Sequence, residues 1–477
     1  MFQSFHQPSA AHNQRNATHK ALSGKIALLV SAIALSSLGC TPQAPQQLAF
    51  EPNYLFAHRL TVEQDVPTDQ FLSDSKDLLI DWFGTPDNPK LPPAFADSDY
   101  AELISLDTMR PAVGPAPESI EPGDHGLYRQ LCTSCHGETG QGRGTVAASQ
   151  NPYPRDFRKG VFKYKSALRN SKPLKSDIAH VLRHGLAGSQ MPLFNKLSDK
   201  QIDALVDYVV YLSIRGEFER QLLAMGTADL DPEESFNSDP TKRERIYDVS
   251  YRGSTVEAQA EAFKDQTSTA EDLLTEIVDK WIEAEDEVEE VEAPEDVPVP
   301  GLTPEADIDA DALSASIAKG RELFVGSVAA CSKCHGDSGK GDGKQLPDYD
   351  EWTKDWTVQI NVKPDDMNAI LPFLARGGMK PQPILPRNLV EGNFRGGRDP
   401  IAVYRRILYG IAGGPMPAAA LASKPGEPGL TTDDIWHLVN FVTSLKTTPP
   451  ASSEPATAEP STKEPSTKEP AASVTIR

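Results

Sequence analysis

The sequence predicts a mainly α-helical protein. Two near-duplicate small helical domains are joined by an acidic, partly helical linker, with an irregular N-terminal extension and a disordered C-terminal tail. Three observations point there. A Cys-x-x-Cys-His run occurs twice, as Cys132-Thr133-Ser134-Cys135-His136 and Cys331-Ser332-Lys333-Cys334-His335. A Gly-rich loop ending in Met-Pro follows each run. Each copy closes on a segment whose apolar residues recur at helical spacing, so the chain carries a long internal repeat. The expected divisions are 1–39, 41–117, 118–215, 216–310, 311–446 and 447–477.

Residues 1–39 read as a signal peptide. Lys20 and Lys25 precede an apolar run from Ile26 to Leu38. That run is short for a bilayer span but suits a signal-peptide core. It ends in Ser37-Leu38-Gly39-Cys40, which resembles the lipobox of bacterial lipoproteins. Lipidation of Cys40 would anchor the protein to the membrane on the periplasmic side. Ordinary cleavage after Ala34-Leu35-Ser36 is the other reading and leaves Cys40 a plain thiol. Residues 41–117 show helical character from Gln70 to Trp82, broken at Gly84-Thr85-Pro86. They read as an extension that packs on the first domain or on a partner.

The first repeat occupies 118–215 and the second 311–446. Two thiols three residues apart on a helical turn can reach both vinyl groups of one porphyrin, and the adjacent His can then ligate its iron. A zinc site would want two nearby pairs; here the pairs are far apart, each has its own His, and a Gly follows each His. The arithmetic closes with two haem c groups. Four of the five cysteines attach them, and Cys40 remains for a lipid.

Other elements recur in order. Leu127-Tyr128 and Leu323-Phe324 precede the two runs, and a Pro-Arg step follows each, at Pro154-Arg155 and Pro386-Arg387. Then come Gly185-Leu186-Ala187-Gly188-Ser189-Gln190-Met191-Pro192 and Gly410-Ile411-Ala412-Gly413-Gly414-Pro415-Met416-Pro417. Glycine permits unusual backbone angles in such a loop and proline stiffens it. Ser198 and Gln201 form a capping box ahead of Ile202, Leu205, Val206, Tyr208, Val209 and Leu212. Thr432 is the expected cap of the equivalent helix, which carries Ile435, Leu438, Val439, Phe441, Val442 and Leu445.

These two segments resemble class I cytochrome c. The resemblance implies a first helix crossing a last helix, covalent haem, and a methionine as sixth ligand. Carried over, His136 and Met191 would ligate one iron, and His335 and Met416 the other. Tyr128 with Tyr208, and Phe324 with Phe441, would be the aromatic contacts at the crossings. Gly320 stands where the family has a glycine, whereas Asp124 takes that place in the first copy. The second copy is enlarged around Tyr349 to Pro381, which brings Met367 and Met379 as rival ligands; Met416 alone shares the context of Met191. Arg155 and Arg387 are candidate partners of haem propionates.

In the linker, 216–310, a helix is expected with Leu273, Leu274, Ile277, Val278, Trp281 and Ile282 on one face, capped at Ser268 to Glu271. A run of acids from Glu283 to Asp296 follows. It reads as a solvated spacer or as a contact for a basic partner. Residues 447–477 are rich in Pro, Ser, Thr, Lys and Glu and are expected to be disordered.

The formal charge of −21 disfavours nucleic acid and favours redox partners with basic docking surfaces. His/Met ligation leaves iron without an open position and suits electron transfer. The resemblance therefore implies an exported di-haem electron carrier between respiratory-chain partners, and not an enzyme. The alternatives are a di-haem periplasmic oxidoreductase such as a cytochrome c peroxidase, or a cytochrome subunit of a dehydrogenase or terminal oxidase complex.

Overall fold

The computed structural model describes residues 48–95, 100–114, 126–345, 348–349, 354, 356–424 and 426–445. The signal peptide, Cys40, Asp124 and the C-terminal tail lie outside the described residues.

The extension opens with α1 (Tyr54–Gln64) and α2 (Asp69–Phe83). Asn53 caps α1 by accepting from the Phe56 N–H at 3.2 Å. Phe71, Leu78, Leu79, Trp82 and Phe83 of α2 are buried, at the three- and four-residue spacing of a core-facing stripe. Gly84, at φ +71°, ends the helix and starts a short antiparallel ribbon, Gly84–Thr85 against Asn88–Pro89.

The first repeat supplies α3 (Leu127–Leu131), α4 (Thr133–His136), α5 (Lys175–His184) and α6 (Asp199–Asp229). The capping box at Ser198 and Gln201 is present. The helix α6 runs on to Asp229, well beyond the apolar positions that announced it. Its continuation buries Phe218, Leu222 and Leu223 together with the ion pair Arg215–Glu219. Those charges interrupt the apolar stripe in sequence while remaining inside the core. Trp82 of α2 stacks on Phe218, with ring centroids 5.6 Å apart and planes 9° from parallel. The linker helix α7 (Glu257–Ile282) adds Ala270, Leu274, Ile277, Val278 and Trp281 to the same core. It starts eleven residues before Ser268, which therefore sits mid-helix instead of capping it. The first turns are polar and largely exposed, so no apolar periodicity marked them.

A second core is built from α8 (Ala310–Val325), α11 (Pro400–Leu408), α12 (Thr432–Ser444) and the linker residues Val297 and Val299, with the single turn α9 (Ser332–His335) at its margin. The cap of α12 is Thr431, paired with Asp434 in a capping box, one residue earlier than expected. At the crossing of α8 and α12, a Cβ on Gly320 would overlap the His437 carbonyl oxygen. The acidic run after α7 is docked on this core through its backbone and through the Glu289 carboxylate, which accepts from the Tyr409 hydroxyl. Trp436 Nε1 donates to the Glu292 carbonyl at 3.1 Å, and Arg405 to the Glu289 carbonyl at 3.0 Å. Glu283, Glu285, Asp286, Glu287, Glu289 and Glu290 keep their side chains exposed.

The enlargement of the second repeat carries α10 (Met367–Ala375). It leans on the extension and the first repeat. Phe373 stacks on Trp356 and meets His58 of α1 at 4.7 Å between centroids. No helix among the described residues is long and apolar enough to cross a membrane.

Candidate functional site

Cys132 is the N-cap of the single turn α4, whose His136 N–H donates to the Cys132 carbonyl at 2.8 Å. All four described cysteines are free thiols. Burial pushes the Cys132 thiol up to about 12 and the Cys331 thiol up to about 11, so both are neutral. His136 Nδ1 lies 3.0 Å from the Arg155 carbonyl oxygen. A carbonyl can only accept, so Nδ1 carries the proton and Nε2 keeps its lone pair. Burial pushes this ring down to about 4 and keeps it neutral, although the hydrogen bond to the Arg155 carbonyl acts the other way. The ring stacks on Phe157 at 4.6 Å and 14°. Phe157 is set in place by the hydrogen bond of its N–H to the Gly140 carbonyl and by the neighbouring buried pair Asp156–Arg158.

The second copy repeats the backbone frame, while the Tyr128 hydroxyl bond to the Gly137 carbonyl has no counterpart because Phe324 stands in its place. His335 Nδ1 lies 3.2 Å from the Arg387 carbonyl, and burial lowers this ring too. The Gly142 N–H to His136 carbonyl bond has its counterpart from Gly341 to His335, both 2.8 Å. Phe157 N–H to Gly140 is matched by Leu389 N–H to Gly339. The aromatic crossings are also present. Tyr128 and Tyr208 meet at 5.0 Å and 76°, Phe324 and Phe441 at 5.1 Å and 60°. One difference is that Leu389 replaces the Phe157 stack.

The methionine loops share one conformation. Gly185 (φ +65°) and Gly410 (φ +70°) open them in the left-handed region, where a side chain would be strained. Leu186 N–H donates to the Met191 carbonyl at 3.2 Å, and Ile411 N–H to the Met416 carbonyl at 3.1 Å. Both methionines are half-buried, and Met191 packs against the first core. The rivals stand elsewhere. Met367 is exposed at the start of α10, and Met379 is buried against Ala147, Leu55 and Tyr153, beside the first repeat.

The Pro-Arg steps thus act at the histidines through backbone carbonyls. The Arg387 guanidinium reaches across to the first methionine loop, donating to the Ala187 and Gly188 carbonyls at 3.2 and 3.0 Å. Arg395 also donates to Gly188, at 2.9 Å. From the first repeat, Arg169 donates to the Met416 carbonyl at 3.0 Å and to that of Tyr409 at 3.3 Å. Tyr164 sits on this seam. Burial raises its hydroxyl, and the charges of Arg395, Arg406, Arg387 and Arg155 pull against that. The Arg395 Nε is buried without a hydrogen-bond partner. Arg169, Arg395, Arg406 and Tyr164 were not singled out from the sequence, although Arg395 follows Phe394 as Lys163 follows Phe162, because they meet only when the two copies pack.

The residues fit haem c. Each motif offers two free thiols, and each His offers an Nε2 lone pair on a ring fixed from behind. The unpartnered Arg395 Nε gives the seam a donor for a carboxylate.

Residues 125–213 match the family model for cytochrome c. They make up one cytochrome c domain, the class that carries haem c covalently and transfers electrons. No curated protein matches the chain. Among solved structures, a chain of the Kuenenia stuttgartiensis reducing HAO-like protein complex is similar. The identity is 21% and the TM-score 0.38, over 67% of this chain and 94% of that one.

Proposed function

We propose that the protein is an exported electron carrier with two haem c groups, one in each repeat. His136 and Met191 hold one iron, His335 and Met416 the other. The reading rests on one observation above all: the second Cys-x-x-Cys-His repeats the backbone hydrogen bonds and the His-to-carbonyl contact that surround the motif inside the matched cytochrome c domain. Haem c bound there supplies an iron that changes oxidation state by one electron at a time.

The chain's own part is to hold both irons' ligands still in either state. The Arg155 and Arg387 carbonyls fix the two imidazoles from behind. The closed loops fix the methionine backbones. If His and Met hold each iron in this way, no ligand position would remain for a substrate, which favours a carrier over an enzyme. The exposed carboxylates of the docked acidic run suit a basic redox partner in a respiratory chain. A lipid on Cys40 would keep the protein at the periplasmic face of the membrane.

The test is carbon monoxide. Protein made in a host that attaches haem c should show two haems by mass and, when reduced, should not bind carbon monoxide readily. Ready binding to the wild type would show an open iron and favour an oxidoreductase.

A further inference from the structure

We propose that Arg387 and Arg169 are positioning residues for the opposite haem site, so that the sixth ligand of each iron is held in part by the neighbouring domain. This rests on the His/Met reading above.

Arg387 belongs to the second repeat, and its carbonyl holds His335. Its guanidinium, however, closes on the Ala187 and Gly188 carbonyls, in the turn that leads to Met191. One residue thereby touches the proximal side of one site with its backbone and the methionine loop of the other with its side chain. Gly188 is shaped for this contact. A Cβ there would overlap the guanidinium, and the residue stands at φ +66°. Arg395 doubles the contact at Gly188. In the opposite direction Arg169 donates to the carbonyl of Met416 itself. A Cβ on Gly410 would overlap the Arg169 guanidinium. Lys165 steadies the Arg169 backbone, its Nζ donating to the Arg169 carbonyl at 2.8 Å. The two clasps are not related by the repeat.

Hydrogen bonds from a charged donor are stronger than neutral ones and restrict the loop that accepts them. Loosening the loop lets a competing ligand displace the thioether more easily. Imidazole added to the oxidised full-length holoprotein measures this, because it bleaches the red charge-transfer band of sulfur on ferric iron. In a Met416→Ala background that band reports Met191 alone. Adding Arg387→Ala, which keeps the carbonyl at His335, should let imidazole displace Met191 at about tenfold lower concentration. Arg387→Lys should recover part of the loss, which a merely misfolded variant would not do. Adding Arg169→Ala there should change nothing. In a Met191→Ala background the roles exchange, and only Arg169→Ala should weaken the Met416 signal.

If each Met→Ala variant removes its share of the band but neither arginine acts across the seam, the proposal is overturned and His/Met ligation stands. If Arg387→Ala loosens Met416 instead, the side chain serves its own domain and the proposal is overturned likewise. If the wild type lacks the band altogether, the His/Met reading fails and this inference fails with it.

Discussion

The imidazole of His136 lies flat against the ring of Phe157, 4.6 Å between centroids, whereas His335 has Leu389 at the matching position. Phe157 is buried and belongs to the first core. Phe157→Ala should therefore destabilise the first domain by about 3–5 kcal/mol. Phe157→Leu, which copies the second domain, should cost less. Denaturant unfolding of the holoprotein measures both.

The pair behind that ring titrates in a defined direction. Burial pushes the Asp156 carboxyl up, but the Arg158 charge and hydrogen bonds outweigh it and hold it below the usual range. The carboxylate is favoured more in the folded state than in the unfolded one. Its contribution is complete above the unfolded value of about 3.9 and disappears as pH falls through the lower folded value. Asp156→Asn should cost about 3–5 kcal/mol at neutral pH by leaving buried Arg158 uncompensated. The difference from wild type should shrink below about pH 3.9, as acid unfolding curves would reveal.

Gly320 marks where α8 and α12 touch, and the His437 carbonyl occupies the space of a Cβ. Gly320→Ala should force the helices apart at a cost of about 1–3 kcal/mol. A lowered melting temperature, with the Tyr128–Tyr208 crossing untouched, would be the result in calorimetry.

Replacing Cys331 and Cys334 by Ser should remove one covalent haem and leave the other on Cys132 and Cys135. Intact mass spectrometry counts them. A variant still carrying two haems would mean that attachment occurs elsewhere.

The acidic strap is held by backbone contacts and by the Glu289 and Glu287 carboxylates, which accept from the Tyr409 and Ser171 hydroxyls, while Glu283, Glu285 and Asp286 are exposed. Electron transfer to a cationic redox protein should slow as salt rises, since exposed charges are screened beyond about 8 Å at physiological ionic strength. Stopped-flow rates over a salt series test this, with Glu283, Glu285 and Asp286 changed to Gln or Asn expected to flatten the dependence.

Much of the two sites could be read from spacing alone. The Cys-x-x-Cys-His runs, the paired Met-Pro loops and the aromatic partners of Tyr128 and Phe324 are local or repeated, and repetition makes a pattern visible in one sequence. What escaped is non-local or polar. The extension of α6 to Asp229 was hidden because Arg215 and Glu219 are buried as a pair, which no apolar count detects. The early start of α7 at Glu257 was hidden by its polar, exposed first turns. The Pro-Arg steps were noticed for their side chains, whereas their carbonyls face the histidines. Arg169 and Arg395 escaped because their partners belong to the other repeat, which no spacing within one copy reveals, even though Arg395 matches Lys163.

The double service of Arg387 limits modularity. Gene duplication supplies two interchangeable units, and interchangeable units can be cut apart, shuffled or lost singly. Once a residue of one copy steadies a loop of the other, excision of either half leaves a survivor with a bare guanidinium or an unheld loop. The two copies have then ceased to be spare parts for one another and must be inherited as a single device.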